Sequence, residues 1–268
     1  MPIKENFHTH TYRCKHAKGD VEDYVREAVK HDLEIIGISD HTALPDDRWH
    51  HIRMLFEELD GYVDAIDRAK IEFPQIKVLK AMECEYDDEY HAFYKENLLD
   101  ERKFDYLIGA AHFIPFENNW QSAHKLEPKH ISSYAKYFIK SMESGLFAFM
   151  AHPDVFGYLY PQWDDHCTGC AHDIFSAAQD LKMPLEINGL GMRKKMVPSP
   201  NGLRPPYPLK EFWEIGSEYN VQVVCNSDAH RPEDIIANID DAKSIAKKHG
   251  LLNMNTSKLI KQAYLNKN

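Results

Sequence analysis

Seven short apolar stretches recur along the chain, and segments with helical periodicity lie between them. The stretches cover residues 3–7, 33–39, 76–82, 104–111, 146–151, 183–187 and 221–226. Their length and their β-branched residues predict buried strands. Strands that alternate with helices predict a parallel sheet, either closed into a barrel or open and doubly wound. No glycine-rich phosphate loop or dinucleotide fingerprint follows any stretch, so an open nucleotide-binding sheet is the less favoured alternative.

Apolar residues at spacings of three and four positions predict the helices. We expect one helix after an N-cap at Asp20 and others near residues 55–69, 131–144, 174–181, 209–216, 240–249 and 256–264. The proline-rich run at residues 198–208 is interpreted as a loop. Because the sequence contains no internal repeat and no linker, we expect a single domain over residues 1–268.

The overall composition argues against several classes of protein. A formal net charge of −10 disfavours general nucleic-acid binding. No run approaches the roughly 18 apolar residues of a membrane span. The N-terminus lacks the apolar segment of a secretory signal, and the five cysteines have no dense spacing pattern, so we expect a cytoplasmic protein. The 16 histidines are an unusually large number for this length.

Polar residues stand at the carboxyl ends of the predicted strands, where barrel enzymes assemble their sites. His8 and His10 point to the same face of the first strand because side chains alternate with a period of two. The candidate metal ligands are His8, His10, His41, Glu83, His112, His152, Asp228 and His230, with His16 in the loop after the first strand. One ion takes only about four to six ligands, so this set suits two or three ions that share a carboxylate.

Clustered divalent ions indicate phosphoryl chemistry. They neutralise phosphate oxygens, generate hydroxide from bound water and stabilise a leaving oxygen. Phosphate monoesters hydrolyse extremely slowly unaided, so a concentration of positive charge is what this reaction requires.

The ligand pattern resembles the polymerase and histidinol phosphatase (PHP) superfamily over essentially the whole chain. The resemblance rests on His8-Thr9-His10-Thr11 with His16, Ser39-Asp40-His41, Glu83, His112, His152-Pro153 and Ser227-Asp228-Ala229-His230. Within the superfamily, residues 8–41 and 186–194 are most similar to histidinol-phosphate phosphatases of histidine biosynthesis. The implied fold is a distorted (β/α)7 TIM-like barrel with its metal site at the C-terminal ends of the strands.

The resemblance also implies a trinuclear centre of divalent ions, with zinc, manganese or iron as the candidate metals. One ion would be held by His8, His10, Glu83 and Asp228. Glu83 would bridge to a second ion on His112 and His152. A third would lie on His16, His41 and His230.

Two regions outside the ligand set are candidates for contact with a substrate. Arg193 follows the sixth strand, and its guanidinium suits bidentate phosphate binding. The loop at residues 153–166 contains Tyr158, Tyr160 and Trp163, whose aromatic faces suit an imidazole and an ammonium group. Asp154, or a histidine near the cluster, is a candidate proton donor to the leaving alkoxide.

The expected activity is hydrolysis of L-histidinol phosphate, with a metal-bridging hydroxide attacking phosphorus in line and with Arg193 taking part of the developing charge. The main alternative is the same centre acting on another phosphoester, such as a nucleotide, an oligonucleotide end or phosphotyrosine. Further alternatives are a non-catalytic metal-binding module and a metal-dependent amidohydrolase. We expect a small-molecule phosphomonoester as the partner, with no nucleic acid and no membrane, and the sequence does not indicate an oligomeric state.

Several cysteines and histidines fall outside the strand-end pattern. Cys167 and Cys170 have the spacing of half a zinc knuckle, but no second pair completes it. We therefore interpret residues 166–172 as ordinary loop residues and place Cys225 in the core. The histidines interpreted as surface residues are His50, His51, His91, His124 and His130.

Overall fold

The computed structural model describes residues 2–254, and the helix expected at 256–264 lies outside them. The strands of the described residues are β1 (Glu5–Asn6), β2 (Ile35–Ile38), β3 (Lys77–Glu85), β4 (Tyr106–Ala110), β5 (Phe113–Phe116), β6 (Asn119–Ser122), β7 (Phe149–Met150), β8 (Leu185–Asn188), β9 (Val197–Ser199), β10 (Gly202–Arg204), β11 (Gln222–Asn226) and β12 (Leu252–Asn253). Eight of them form one sheet in the order β1–β2–β3–β4–β7–β8–β11–β12, and every neighbouring pair is parallel. The seven predicted strands are confirmed, and β12 is an eighth that the pattern did not predict.

The sheet curls towards a barrel because its two sides meet just beyond the strand ends. Thr9, which follows β1, forms a parallel bridge with Ala229, which follows β11. The backbone N–H of His10 donates to the Ala229 carbonyl at 2.8 Å. The Asn226 side chain accepts from the N–H of Phe7 at 2.9 Å. The prediction of a distorted TIM-like barrel is confirmed.

Helices pack against the outside of this sheet and connect its strands. They are α1 (Val21–Lys30), α2 (Leu59–Glu72), α3 (Pro128–Glu143), α4 (Asp165–Leu181), α5 (Leu190–Arg193), α6 (Lys210–Gly216) and α7 (Ile239–Lys248). A π-helix at Phe93–Glu101 was not predicted. Within residues 2–254, no helix combines the length and the apolar character needed to cross a bilayer.

Two loop predictions are wrong. The helix expected near 174–181 begins at Asp165, because Asp164 Oδ1 accepts from the N–H of Cys167 at 3.0 Å and caps α4. Cys167 and Cys170 therefore lie in a helix, and both are buried in the core. The proline-rich run at 198–208 contains most of the antiparallel hairpin formed by β9 and β10.

Side-chain alternation along β3 separates the two faces of the sheet. Val78 and Met82 pack into the large core between sheet and helices. Leu79 and Ala81 belong to a smaller cluster on the other face. Glu83 lies two residues after Ala81 and so continues this inner face at the carboxyl end of the strand. The inner face thus changes from apolar to ionisable along a single strand.

Candidate metal centre

All nine predicted ligands come together at the carboxyl ends of the sheet. Among residues 2–254, five groups of three side chains have potential donor atoms that lie within 4.8 Å of one another. Three of these groups are His8 with His10 and Asp228, Glu83 with His112 and His152, and His16 with His41 and His230. They are the same three groups that the family resemblance implies, with Glu83 as the residue expected to bridge two of them.

Glu83 lies at the middle of the cluster. Its Oε1 lies 3.0 Å from His152 Nε2 and 3.4 Å from His8 Nε2. Its Oε2 lies 2.8 Å from His41 Nδ1 and 3.5 Å from His10 Nε2. One carboxylate therefore faces imidazoles of all three groups, which is the arrangement that a bridging ligand requires.

Several donor atoms of the cluster are sealed from solvent and have no hydrogen-bond partner. They include His10 Nδ1, His152 Nδ1 and Asp228 Oδ1. Unpaired buried polar atoms are rare in native proteins, because each one is costly to desolvate. Divalent first-row ions would satisfy these imidazole nitrogens and carboxylate oxygens, so the residues present fit a metal cluster.

The electrostatics of the centre favour cations. Burial opposes the ionisation of Glu83 and Asp228, but the surrounding imidazoles hold the pKa of both carboxyls well below the usual range. Burial, together with the charges of Arg53 and His10, holds the pKa of His41 well below its usual value. This shift favours the neutral imidazole of His41, the form that binds metals.

The buried carboxylate of Glu186 hydrogen-bonds to two of the predicted metal ligands, His8 and His152. Its Oε1 accepts from His8 Nδ1 at 2.9 Å and from Asn226 Nδ2 at 2.9 Å. Its Oε2 accepts from Asn188 Nδ2 at 2.7 Å and from the N–H of His152 at 3.3 Å. With its Nδ1 bonded to Glu186, His8 turns Nε2 towards the centre.

A second buried carboxylate supports the other side of the centre. Glu85 Oε1 lies 2.7 Å from His112 Nδ1 and 2.5 Å from an Arg53 guanidinium nitrogen. The side chains of Arg53 and Glu85 are each only 2% exposed. This pair fixes the tautomer and ring orientation of His112.

Asp154 and Arg193 lie near the centre, but their side chains hydrogen-bond to other groups of the protein. Asp154 Oδ2 accepts from the N–H of Leu209 at 2.6 Å and from Trp213 Nε1 at 3.1 Å. The Arg193 guanidinium donates to the carbonyls of Ser227, Asp228 and Ala237 and to Asn238 Oδ1. Both residues therefore hold loops at the rim.

The three aromatic residues predicted to contact a substrate lie at two different sites. The Tyr158 ring lies 4.6 Å from His124 and 6.0 Å from Tyr207, whose ring is 5.9 Å from His152. Tyr158 is thus part of an aromatic wall beside the ligands. Tyr160 and Trp163 instead line a cleft of about 290 Å³ with Arg204, and the hydroxyl of Tyr160 donates to Asp164.

Sequence reasoning missed His124, Glu85 and Tyr207 as neighbours of the centre. His124 is half-buried beside His112 and is not a surface histidine. His130, the other histidine wrongly predicted at the surface, is buried in the first turn of α3, with its Nδ1 accepting from the N–H of Glu127. Glu85 could have been found, because it lies on the same face of the strand as Glu83. Tyr207 gives no such signal, because it lies in the irregular segment between β10 and α6.

Comparison with known proteins agrees with this geometry. The chain is 25% identical over 287 aligned positions to a protein of Schizosaccharomyces pombe named "probable histidinol-phosphatase", and the match covers 95% of this chain and 89% of that protein. It resembles the crystal structure of a candidate histidinol phosphatase from Listeria monocytogenes, with a TM-score of 0.71, 18% identity, and coverage of 89% of this chain and 99% of that one.

A second solved structure has the same fold. It is a histidinol phosphate phosphatase from Lactococcus lactis in complex with zinc, L-histidinol and phosphate, with a TM-score of 0.70, 17% identity, and coverage of 94% of this chain and 95% of that one. The PHP domain family matches residues 6–189, which hold five whole strands of the curled sheet, the last residue of β1 and seven of the nine predicted ligands. The matched range covers more than half of the chain, and the residues of the family pattern lie together at the strand ends. This chain therefore belongs to the PHP domain family.

Proposed function

We propose that this chain is a metal-dependent phosphomonoesterase that hydrolyses L-histidinol phosphate to L-histidinol and phosphate, a reaction of histidine biosynthesis. The observation that carries the proposal is the centre in which eight ionisable side chains, five of them buried, meet around the buried carboxylate of Glu83. The name of the Schizosaccharomyces pombe relative and the ligands of the Lactococcus lactis structure support the choice of substrate. A cytoplasmic location and a single domain over residues 1–268 stay predictions.

Three divalent ions are proposed for the three ligand groups, with zinc, manganese or iron as candidates. When bound, such ions neutralise phosphate oxygens and lower the pKa of a water molecule that can attack phosphorus. The protein holds the ligands rigidly: Glu186 fixes His8, and the Arg53–Glu85 pair fixes His112. This preorganisation places positive charge where the phosphoryl group binds.

The roles of the other predicted residues stay predictions. These are phosphate binding by Arg193, proton donation by Asp154 and substrate contact by Tyr158, Tyr160 and Trp163. The hydrogen bonds of Asp154 and Arg193 support a positioning role, because each side chain holds a loop next to the ligands. Among the aromatic residues, the position of Tyr158 beside the His124 ring supports contact with the organic part of the substrate.

Phosphate release from a panel of phosphorylated metabolites tests the proposal. Protein supplied with Mn²⁺, Zn²⁺ or Fe²⁺ should release phosphate from histidinol phosphate with a kcat/KM well above that for nucleotides, oligonucleotide ends or phosphotyrosine. His10→Ala or Asp228→Ala should abolish the activity. A kcat/KM for histidinol phosphate no higher than for generic phosphomonoesters would refute the substrate but leave the phosphatase class.

A further inference from the structure

Among the buried tyrosines of residues 2–254, one has a hydroxyl that forms no hydrogen bond and is still accessible to solvent. Tyr207 is 3% exposed, and its hydroxyl forms no hydrogen bond within residues 2–254. Other buried tyrosine hydroxyls bond carbonyls, including those of Tyr62, Tyr94, Tyr106 and Tyr134. The phenol oxygens of Tyr24 and Tyr137 lack a partner but are sealed from solvent, whereas that of Tyr207 is not. Buried tyrosine hydroxyls usually have a partner, so this one is available to a ligand.

The ring of Tyr207 lies beside one predicted metal ligand and one aromatic residue of the neighbouring loop. Its centroid lies 5.9 Å from the ring of His152 and 6.0 Å from that of Tyr158. On another side it packs on Gly191, where an added Cβ would lie 2.3 and 2.6 Å from two ring carbons. The absence of a side chain at Gly191 therefore lets the Tyr207 ring approach the centre.

The backbone near Tyr207 is also fixed. The N–H of Leu209, two residues later, donates to the buried carboxylate of Asp154 at 2.6 Å. A neutral phenol carries a proton on its oxygen, so the Tyr207 hydroxyl can donate a hydrogen bond.

We propose that the Tyr207 hydroxyl donates a hydrogen bond to a phosphoryl oxygen of the substrate, as a binding residue of the phosphatase site proposed above. A donor fits this position because a phosphate monoester brings anionic oxygens to the ligand cluster that Tyr207 borders. A hydrogen bond to a charged group strengthens binding roughly 10- to 100-fold.

Tyr207→Phe tests the proposal, because it removes only the hydroxyl and keeps the ring that packs on Gly191. The kcat/KM should fall about 10- to 100-fold for histidinol phosphate and for p-nitrophenyl phosphate alike, since both esters share the phosphoryl group. Inorganic phosphate should bind the metal-loaded variant more weakly by a similar factor in calorimetry, a measurement that needs no turnover. Tyr137→Phe, which removes a sealed phenol oxygen, is the matched control and should change neither quantity.

Two results would overturn the proposal. One is a Tyr207→Phe variant with normal metal content whose kcat/KM and phosphate binding stay within about twofold of the unmodified protein. The other is a loss confined to histidinol phosphate, which would assign the hydroxyl to the organic part of the substrate. If the unmodified enzyme hydrolyses p-nitrophenyl phosphate but not histidinol phosphate, the proposed substrate fails, and the role of Tyr207 is still decided by p-nitrophenyl phosphate and inorganic phosphate.

Discussion

Replacing Glu186 by glutamine isolates the contribution of a buried carboxylate that is not itself a ligand. Each of its oxygens accepts two hydrogen bonds, from His8 and Asn226 on one side and from Asn188 and the His152 backbone on the other. An amide supplies only one oxygen, so its NH₂ group must face two donors. With about 1 kcal/mol for each lost hydrogen bond, the variant loses about 2 kcal/mol.

This loss should appear as weaker metal binding. A free energy of about 2 kcal/mol corresponds to roughly a 30-fold change in a dissociation constant, within the 10- to 100-fold range typical of residues that orient metal ligands. Zinc affinity is measured by competition with a chromophoric chelator, and kcat/KM is measured at saturating metal. Glu218→Gln, which changes an exposed carboxylate, is the control. Zinc affinity of Glu186→Gln within about twofold of the unmodified protein would refute the reasoning.

Four further outcomes follow from the contacts. Arg53→Met should lower the free energy of unfolding by about 3–5 kcal/mol in urea titrations, because it leaves the Glu85 carboxylate buried without its partner. Chelation should lower the melting temperature, since ions present at 100 times their dissociation constant stabilise the fold by about 2.7 kcal/mol. Gly191→Ala should reduce kcat/KM by displacing the Tyr207 ring, and a crystal structure with an unmoved ring would contradict this. Asp154→Asn should keep kcat within about threefold, because an amide oxygen can accept both hydrogen bonds; a loss above about 100-fold would instead indicate a general acid.

The clustering of the nine predicted ligands could be foreseen from the sequence because strand geometry determines where their side chains point. In β3, Leu79, Ala81, Glu83 and Glu85 follow one another on the inner face with a period of two. The parallel sheet then brings all strand ends to one edge, so residues far apart in sequence meet there. For the same reason, the sequence could also have predicted that Glu85 lies beside the cluster.

The aromatic wall could not be predicted, because loops and a hairpin position it. His124 follows β6, and the pairing of β5 with β6 folds the chain back so that the N–H of Ala123 donates to the His112 carbonyl at 2.8 Å. Tyr207 depends on a contact with Gly191 that has no periodic signal. The direction of the Arg193 guanidinium likewise depends on the carbonyls of a neighbouring loop and not on its own helix.

The rigidity of the proposed site follows from the placement of its central carboxylate within the sheet. The N–H of Glu83 donates to the Asp40 carbonyl at 2.9 Å, and the Glu83 carbonyl accepts from the N–H of Thr42 at 2.9 Å. On the other edge, Glu83 pairs with Ile108 of β4. Because both edges of the backbone are hydrogen-bonded, the carboxylate has little freedom beyond its own side-chain torsions. A group on a paired strand is held more precisely than one on a loop, so this position suits the carboxylate that is predicted to bridge two ligand groups.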